Sequence, residues 1–295
     1  MNTRTEAAPG HLLRSWRERR RLSQLELSSQ TGVSARHLSF VETGRSRPSR
    51  ELIIRLTSHL DVPLRERNQL LLAAGLSPEY RGGQLGDPEL AQVHAALEII
   101  LDSHRSTPSV VVDREWNVID GNAAMAVLLD NVAPFLLEAP INSLRVAMHP
   151  EGMAPHIINL AQWRRSVIDR VRRQAESTGD PRVLDLLAEL SSYPGGFSSE
   201  VSPHDDVAVP LMMNIRGQQL AFLTTIATFG TPMDVTVSEL VIESFFPANV
   251  ETRVALEGFA REGNEPLADA LLRLTRSRAV EPRQSRQRSR DRSAD

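Results

Sequence analysis

The chain has 295 residues, enough for two domains, and its 41% hydrophobic and 24% charged residues are ordinary for a globular protein. It contains no cysteine, which excludes disulfides, thiolate catalysis and cysteine-bound zinc or iron–sulfur centres. The net charge of −3 conceals an uneven distribution of charge along the chain. Residues 1–80 carry 13 Arg and 8 acidic residues, residues 81–270 carry 13 Arg and 26 acidic residues, and residues 271–295 carry 8 Arg and 3 acidic residues. A polyanion is therefore attracted by both ends of the chain and repelled by its middle.

The first 75 residues predict an all-α domain of five short helices. Ser23 is followed three positions later by Glu26, the pattern of a capping box, and therefore starts the second helix. Gly32 allows a tight turn, and Ser34 caps a third helix that runs to Glu42. The other three helices are expected to open at Gly10, at Pro48–Ser49 and at Pro63.

Residues 76–88 contain three Gly and two Pro, which predicts a linker. Residues 89–262 then mix helical and strand periodicity, which predicts an α+β domain. The predicted strands are Val110–Val112, Trp116–Asp120, Val207–Ile215, Gln219–Phe229 and Glu239–Phe246, with a hairpin turn at Arg216–Gly217. The predicted helices follow Pro88, Asn122, Pro155 and Pro181, and a last one covers Glu251–Arg261.

The C-terminal segment 273–295 is rich in Arg, Ser and Gln and almost without apolar residues. It cannot bury enough surface to offset the entropy lost on ordering, so we expect a disordered basic tail. The chain has no run of about 18 apolar residues, and its first ten residues lack an apolar signal core. We therefore expect a cytoplasmic protein without membrane insertion.

The segment from Leu22 to Arg45 has the spacing of a helix-turn-helix, in which the helix after the turn enters the major groove of DNA. Gln24 stands at the N-terminus of the second helix, where its amide and the helix dipole both favour a phosphate. Arg36 is the candidate for a bidentate contact with guanine. The other candidates to contact double-stranded DNA are Ser34, Ala35, His37, Phe40, Arg45 and Arg47, of which Ala35 and Phe40 suit a thymine methyl and the two arginines suit phosphates. For any single arginine, the alternative is a solvated helix face.

Residues 10–75 resemble the XRE, or Cro/CI-type, helix-turn-helix domain. The resemblance is carried by Leu22-Ser23-Gln24, Gly32-Val33-Ser34, Leu38-Ser39 and Glu42-x-Gly44-Arg45. It implies a transcription regulator that binds double-stranded DNA at a specific sequence. Members of that family often carry a polar or basic side chain where this chain has Phe40.

Four further segments are similar to MmyB-like regulators. They are Arg45–Arg50, Leu72–Tyr80, Pro108–Ala124 and Trp163 with the arginine-rich helix that follows it. In that family a PAS-like ligand-binding domain follows the DNA-binding domain. The resemblance implies a second domain with an apolar pocket suited to a fatty-acid-like molecule.

The second domain has no GxSxG, HExxH, P-loop or GxGxxG motif, so we expect no enzymatic activity, no metal and no cofactor. Small-molecule sites are concave and mostly apolar, with few polar anchors. The candidates to line such a pocket are Trp116, Phe135, Met148, Trp163, Phe222 and Phe245, and Arg164 is a candidate to meet a carboxylate at its mouth. For each apolar side chain the alternative is an ordinary place in the core.

Helix-turn-helix proteins usually pair to read two half-sites, so we expect a homodimer whose ligand biases the spacing of its two DNA-reading helices. Two alternatives stay open. In one, the second domain only dimerises or docks a protein partner, with its pocket filled by side chains. In the other, an enzyme is fused to a DNA-binding domain.

Overall fold

The computed structural model describes residues 8–196 and 209–262, without the side chains of residues 261 and 262. The predicted disordered tail lies outside these residues. The described residues divide into two compact units: the first contains residues 8–83, 170–185 and 230–238, and the second contains residues 84–169, 186–196, 209–229 and 239–262. None of the described helices is both long enough and apolar enough to cross a membrane.

The N-terminal part of the first unit has the five predicted helices. They are α1 (Pro9–Arg19), α2 (Gln24–Thr31), α3 (Ala35–Glu42), α4 (Arg50–His59) and α5 (Leu64–Ala73). The Ser23 hydroxyl accepts a hydrogen bond from the Glu26 amide, and the Glu26 carboxylate accepts one from the Ser23 amide. The predicted capping box is therefore confirmed. Ser34 caps α3 and Ser49 caps α4 in the same way, through their side-chain oxygens.

The helical core is formed where α1 packs on α3 and α5, and α2 packs on α3 and α4. Leu13 and Trp16 of α1 share one buried apolar cluster with Leu38 of α3. Gly10 lies at the closest approach of α1 to α3, because a Cβ atom there would collide with the backbone carbonyl oxygen of Val41. Only glycine fits this contact without a backbone shift.

The second unit is built on an antiparallel sheet with the strand order β2-β1-β5-β4-β3. The strands are β1 (Ser109–Val112), β2 (Val118–Gly121), β3 (Leu211–Ile215), β4 (Gln218–Ala227) and β5 (Val241–Pro247). The remaining α-helices of the described residues are α6 (Ala91–Ser103), α7 (Ser143–Met148), α8 (Leu160–Thr178), α9 (Pro181–Ser192), α10 (Val235–Ser238) and α11 (Val250–Glu262). The division into units falls inside α8 and α9, and α10 belongs to the first unit. The α+β class is confirmed.

The register of the sheet decides which side chains share a face. Val110 of β1 pairs with Glu243 of β5, and Phe245 of β5 pairs with Thr224 of β4. Because successive side chains in a strand alternate between faces, these four residues and Phe222 lie on one face. α6 covers the opposite face, where its leucines join a buried cluster; the members are Leu97, Leu101, Val111, Leu240 and Ile242.

The strand boundaries differ from the prediction. β1 begins one residue earlier, at Ser109, β4 covers Gln218–Ala227 rather than Gln219–Phe229, and β5 covers Val241–Pro247 rather than Glu239–Phe246. β2 begins at Val118 rather than at Trp116, because Trp116 has φ +66° and belongs to the turn before the strand. The Asp113 carboxylate fixes this turn by accepting hydrogen bonds from the amides of Glu115 and Asn117. β3 begins at Leu211, so residues 209 and 210 of the predicted strand are not part of it, and residues 207 and 208 lie outside the described residues.

The helix predicted after Asn122 is a 3-10 helix, Ala123–Leu129, rather than an α-helix. Asn122 does not cap it through its side chain. Instead, the side-chain Nδ2 of Asn122 donates to the carbonyls of His104 and Thr107, and its side-chain Oδ1 accepts a hydrogen bond from the Ser109 backbone amide. The side chain therefore joins the end of α6 to the start of β1.

Part of the predicted linker is held by hydrogen bonds inside the first unit. The Val235 amide donates to the carbonyl of Arg81 at 2.7 Å. The Thr236 hydroxyl donates to the Gly83 carbonyl at 2.7 Å and accepts from the Gly83 amide at 3.1 Å. Residues 81–83 are therefore ordered against the segment that connects β4 to β5 in sequence.

Candidate functional site

The helix-turn-helix consists of α2, α3 and the short turn between them. Gly32 ends α2 in a left-handed conformation with φ +69°, which glycine adopts without strain. Leu27, Val33 and Leu38 are buried on the three parts of the motif. They belong to one buried cluster, and their packing fixes the angle between the two helices.

One face of α3 is buried and another is exposed. Leu38, Val41 and Glu42 are buried, at the spacing expected for the inner face of a helix. Ser34, Arg36 and His37 are exposed, and Ala35 and Phe40 are half-buried. The residues predicted to meet base edges are therefore those of α3 and its N-cap that the core leaves accessible.

Arg36 and Phe40 contact each other on α3. The guanidinium carbon of Arg36 lies 5.4 Å from the centre of the Phe40 ring, within the range of a cation–π interaction. Within the described residues, the Arg36 side chain has no hydrogen bond or ion pair. Its N–H donors are therefore available to a ligand.

Arg45 and Arg47 lie in the loop that follows α3. Gly44 turns the chain with φ +74°, and the Ser46 amide donates to the Phe40 carbonyl at 3.0 Å, so the loop folds back on the last turn of α3. Both arginines are exposed. Neither forms a hydrogen bond or ion pair with any residue that the structure describes.

Other arginines of the helical domain have structural roles. Arg20 donates to the carbonyls of Leu60 and Asp61, just beyond α4, and Arg67 donates to the Val62 carbonyl. Arg50 forms an ion pair with Glu79. The positive formal charge of residues 1–80 thus includes guanidinium groups that are already engaged within the protein.

A buried network joins α1, α2 and α3. Arg17 contacts the Glu42 carboxylate through Nε and Nη2, both at 2.8 Å, and its Nη1 donates to the Leu22 carbonyl at 2.7 Å. The hydrogen bond to Glu42 raises the pKa of Arg17. The Gln24 amide nitrogen donates to the same carboxylate at 2.8 Å. Glu42 is therefore hydrogen-bonded inside the domain, to residues of both α1 and α2.

This network changes the interpretation of Gln24. An amide nitrogen carries two N–H donors, so Gln24 retains one for a phosphate while the other binds Glu42. The carboxylate therefore orients the amide predicted to contact DNA. Sequence reasoning missed the role of Arg17, because 25 residues separate it from Glu42 and no local pattern links them.

The apolar residues predicted to line a pocket all lie in the second unit, where five of them are buried and one, Phe135, is exposed. Phe222, which is 0% exposed, and Phe245 lie on the same face of the sheet. Trp116, Met148 and Trp163 are also buried. Phe135 is 50% exposed, and its ring lies edge-on to the His149 ring.

Arg164 is only 2% exposed and binds backbone carbonyls. Its guanidinium donates to the carbonyls of Leu190 and Ser191, in the last turn of α9, and to that of Gly196. Cations are stabilised at the C-terminal end of a helix by the helix dipole. Burial lowers the pKa of Arg164. The structure thus gives this residue a role in holding the end of α9, and its predicted contact with a ligand carboxylate stays a prediction.

A second polar cluster joins α7 to α9. Arg145 forms a bidentate ion pair with Glu189, with N–O distances of 2.8 Å for both Nε to Oε1 and Nη2 to Oε2. The Tyr193 hydroxyl donates to the same carboxylate at 2.6 Å. The hydrogen bond from Arg145 is the main cause that holds the pKa of Glu189 below its usual value. Burial and the neighbouring carboxylate raise the pKa of Tyr193.

Comparisons with known proteins match two successive parts of the chain to two kinds of domain. Residues 10–70 match a helix-turn-helix domain, and residues 93–258 match the MmyB-like transcription regulator ligand binding domain. Two uncharacterised HTH-type transcriptional regulators, one of Mycobacterium bovis and one of Mycobacterium tuberculosis, are each 26% identical over 193 residues, which is 63% of this chain and 69% of theirs.

Among solved structures, an RNA-binding light-oxygen-voltage receptor is similar at 15% sequence identity and a TM-score of 0.27, over 89% of this chain and 64% of that one. This likeness is too low to carry a conclusion. The match to the ligand-binding domain, in contrast, covers more than half of the chain, and a helix-turn-helix match precedes it. The chain therefore belongs to the MmyB-like transcription regulators, with a helix-turn-helix DNA-binding domain followed by a ligand-binding domain.

Proposed function

We propose that the chain binds a specific operator by placing α3 in the major groove, where Arg36 reads a guanine. The observation that carries this proposal is the state of three arginines. Arg36, Arg45 and Arg47 are exposed on α3 and the loop after it, and none has a hydrogen bond or ion pair within the described residues. Arg17 and Arg20, in contrast, are bound to protein acceptors.

The other predicted contacts follow from the same orientation. Gln24, Arg45 and Arg47 suit phosphates beside the groove, because amide and guanidinium donors bind phosphate oxygens without reading sequence. Ala35 and Phe40 present apolar surface to a thymine methyl. Ser34 and His37 lie at the N-terminal end of α3, which is the part of a recognition helix that meets base edges.

In vitro selection from a random pool of DNA duplexes, using the full chain, tests this proposal. We expect one enriched motif, and for a homodimer two copies of it about one helical turn, ~10 base pairs, apart. Recovery of unselected DNA without an enriched motif, under conditions where the protein binds DNA, would contradict sequence-specific reading. A single enriched half-site would contradict the homodimer.

We further propose that the ligand-binding domain holds a small apolar, fatty-acid-like molecule against the sheet face that carries Phe222 and Phe245. The buried side chains of Trp116, Met148 and Trp163 support this assignment, because ligand sites of this kind are lined mainly by apolar groups. We assign Phe135 to the entrance, since it is half in solvent. Arg164 supports the site by fixing the end of α9, as its donors bind carbonyls there.

Native mass spectrometry of freshly purified protein, followed by denaturation and solvent extraction, tests the ligand. We expect a dimer that carries one acyl-chain molecule per subunit and releases it unchanged. A dimer that holds nothing and takes up no added fatty acid favours the alternative, a domain that only dimerises or docks a protein partner. Conversion of the molecule into a product during incubation would contradict our proposal that the chain is not an enzyme.

A further inference from the structure

The contact between Arg36 and Phe40 has a direct physical consequence for DNA reading. The two residues are four positions apart on α3, so their side chains lie over the same stretch of one helix face. A free arginine side chain has four rotatable bonds and loses that freedom when it binds a base. The ring of Phe40, 5.4 Å from the guanidinium carbon, restricts this freedom before DNA arrives.

The cation–π contact leaves the donors of Arg36 unused. It acts through the electrostatic attraction between the guanidinium and the face of the ring, and therefore consumes none of the N–H groups in a hydrogen bond. Bidentate recognition of guanine needs two of those N–H groups, directed at O6 and N7. An arginine held by a ring is thus ordered and still able to donate, unlike Arg17, whose donors are bound to Glu42.

Phe40 is itself held in place. It is half-buried, and its carbonyl accepts the hydrogen bond from the Ser46 amide that closes the loop after α3. The Ser34 cap fixes the other end of the helix through the His37 amide. The Phe40 ring therefore has a fixed position, because hydrogen bonds hold both ends of α3.

Resting on the proposed function, we propose that Phe40 is a positioning residue, and that Arg36 and Phe40 form one reading unit for a single guanine. Phe40 acts through Arg36, by holding its guanidinium in the orientation that the base requires. The specificity of the operator at that base pair then depends on the aromatic ring as well as on the arginine.

The test compares Phe40→Leu, which keeps an apolar side chain without an aromatic face, with Phe40→Trp, which keeps the face. Both variants of the full chain are titrated against the selected operator and against operators with each base pair substituted in turn. Discrimination at the guanine read by Arg36 is identified with Arg36→Ala. We expect Phe40→Leu to lower that discrimination about two- to fivefold and Phe40→Trp to retain it.

The double variant Arg36→Ala/Phe40→Leu should discriminate no worse at that base pair than Arg36→Ala alone, because Phe40 acts through Arg36. Equal losses in Phe40→Leu and Phe40→Trp, or a loss confined to a different base pair, would overturn the positioning role. If Arg36→Ala itself changes no base preference, the proposed function of Arg36 fails first and the reading unit fails with it. Circular dichroism confirms that each variant retains its helices.

Discussion

Glu42 connects the parts of the helix-turn-helix at the scale of single residues. Its carboxylate, with a side chain 1% exposed, binds Arg17 of α1 and Gln24 of α2. Removing one partner of a buried ion pair leaves the other charge buried without compensation. The orientation of α2 and α3 therefore depends on a side chain that is buried inside the helical domain.

We expect Glu42→Gln to lower the free energy of unfolding of the helical domain by about 3 kcal/mol. Hydrogen exchange of the α1 and α3 amides measures this loss in the full chain. The matched control is Glu51→Gln, which breaks the exposed ion pair with Arg55 and should change the free energy by less than about 0.5 kcal/mol. Similar exchange rates in the two variants would show that the buried network does not stabilise the motif.

Glu189 should make the stability of the second domain depend on pH. Its pKa is lowered in the folded state, mainly by the hydrogen bond from Arg145. The stabilisation is therefore present above the pKa of the unfolded state and is lost as the pH falls through the lower pKa of the folded state. Glu189→Gln should therefore be less stable than wild type at neutral pH and approach it at acid pH.

Thermal unfolding between neutral and acid pH measures this convergence. Glu257→Gln, an exposed carboxylate on α11, serves as the control and should follow the wild-type curve throughout. A constant difference between Glu189→Gln and wild type across the whole range would contradict the assignment, because it would mean that the carboxylate does not titrate differently in the folded chain.

Whether a hydrogen bond could be predicted from the sequence depended on how many residues separate its two partners. The capping residues Ser23 and Ser34 were predicted correctly, because a cap and its amide are three positions apart. Glu42 is 25 residues from Arg17, and the carbonyls that bind Arg164 are 26 to 32 residues from it, and a single sequence does not show such pairs. The DNA contacts themselves stay predictions.

Gly10 shows how one residue sets the packing of two elements. α1 reaches the last turn of α3 so closely that a Cβ atom would collide with the backbone of Val41. Gly258 in α11 offers a matched contrast, since a Cβ atom there would meet nothing within 4 Å. The same substitution should therefore have opposite effects at the two positions.

We expect Gly10→Ala to destabilise the helical domain by about 1–3 kcal/mol through overpacking. Gly258→Ala should stabilise α11 by up to about 1 kcal/mol, because alanine is the better helix former. Hydrogen exchange of α1 and α11 in the two variants gives both values. Destabilisation of the same size at both positions would mean that the loss at Gly10 is not caused by its contact with α3.

The elements that sequence patterns located best are those fixed by local signals. The five N-terminal helices begin at caps or prolines, and the hairpin at Arg216–Gly217 is confirmed by φ values of +50° and +78°. β2 starts late because Trp116 adopts a left-handed conformation, which its residue type disfavours. The 3-10 helix after Asn122 was predicted as an α-helix, because apolar spacing alone does not separate the two.

At the scale of the whole molecule, the DNA-binding and ligand-binding parts of the chain differ in the sign of their net charge. The acidic excess lies in residues 81–270, which include the ligand-binding domain, and the N-terminal 80 residues have an excess of arginine. A domain of that sign repels the DNA backbone, so the field of the chain favours approach through the helix-turn-helix. Binding should accordingly weaken with salt, in proportion to the number of phosphates contacted.

The central claim is that α3 reads base sequence through Arg36, and Arg36→Ala measured on the selected operator tests it most directly. The control is Arg55→Ala, which removes an exposed arginine of α4 and so makes the same change in net charge. We predict that Arg36→Ala loses about 1–3 kcal/mol on the operator, and much less on unrelated DNA, while Arg55→Ala retains the preference of the wild type. Equal weakening on operator and unrelated DNA by Arg36→Ala would contradict the account, because Arg36 would then be a phosphate contact.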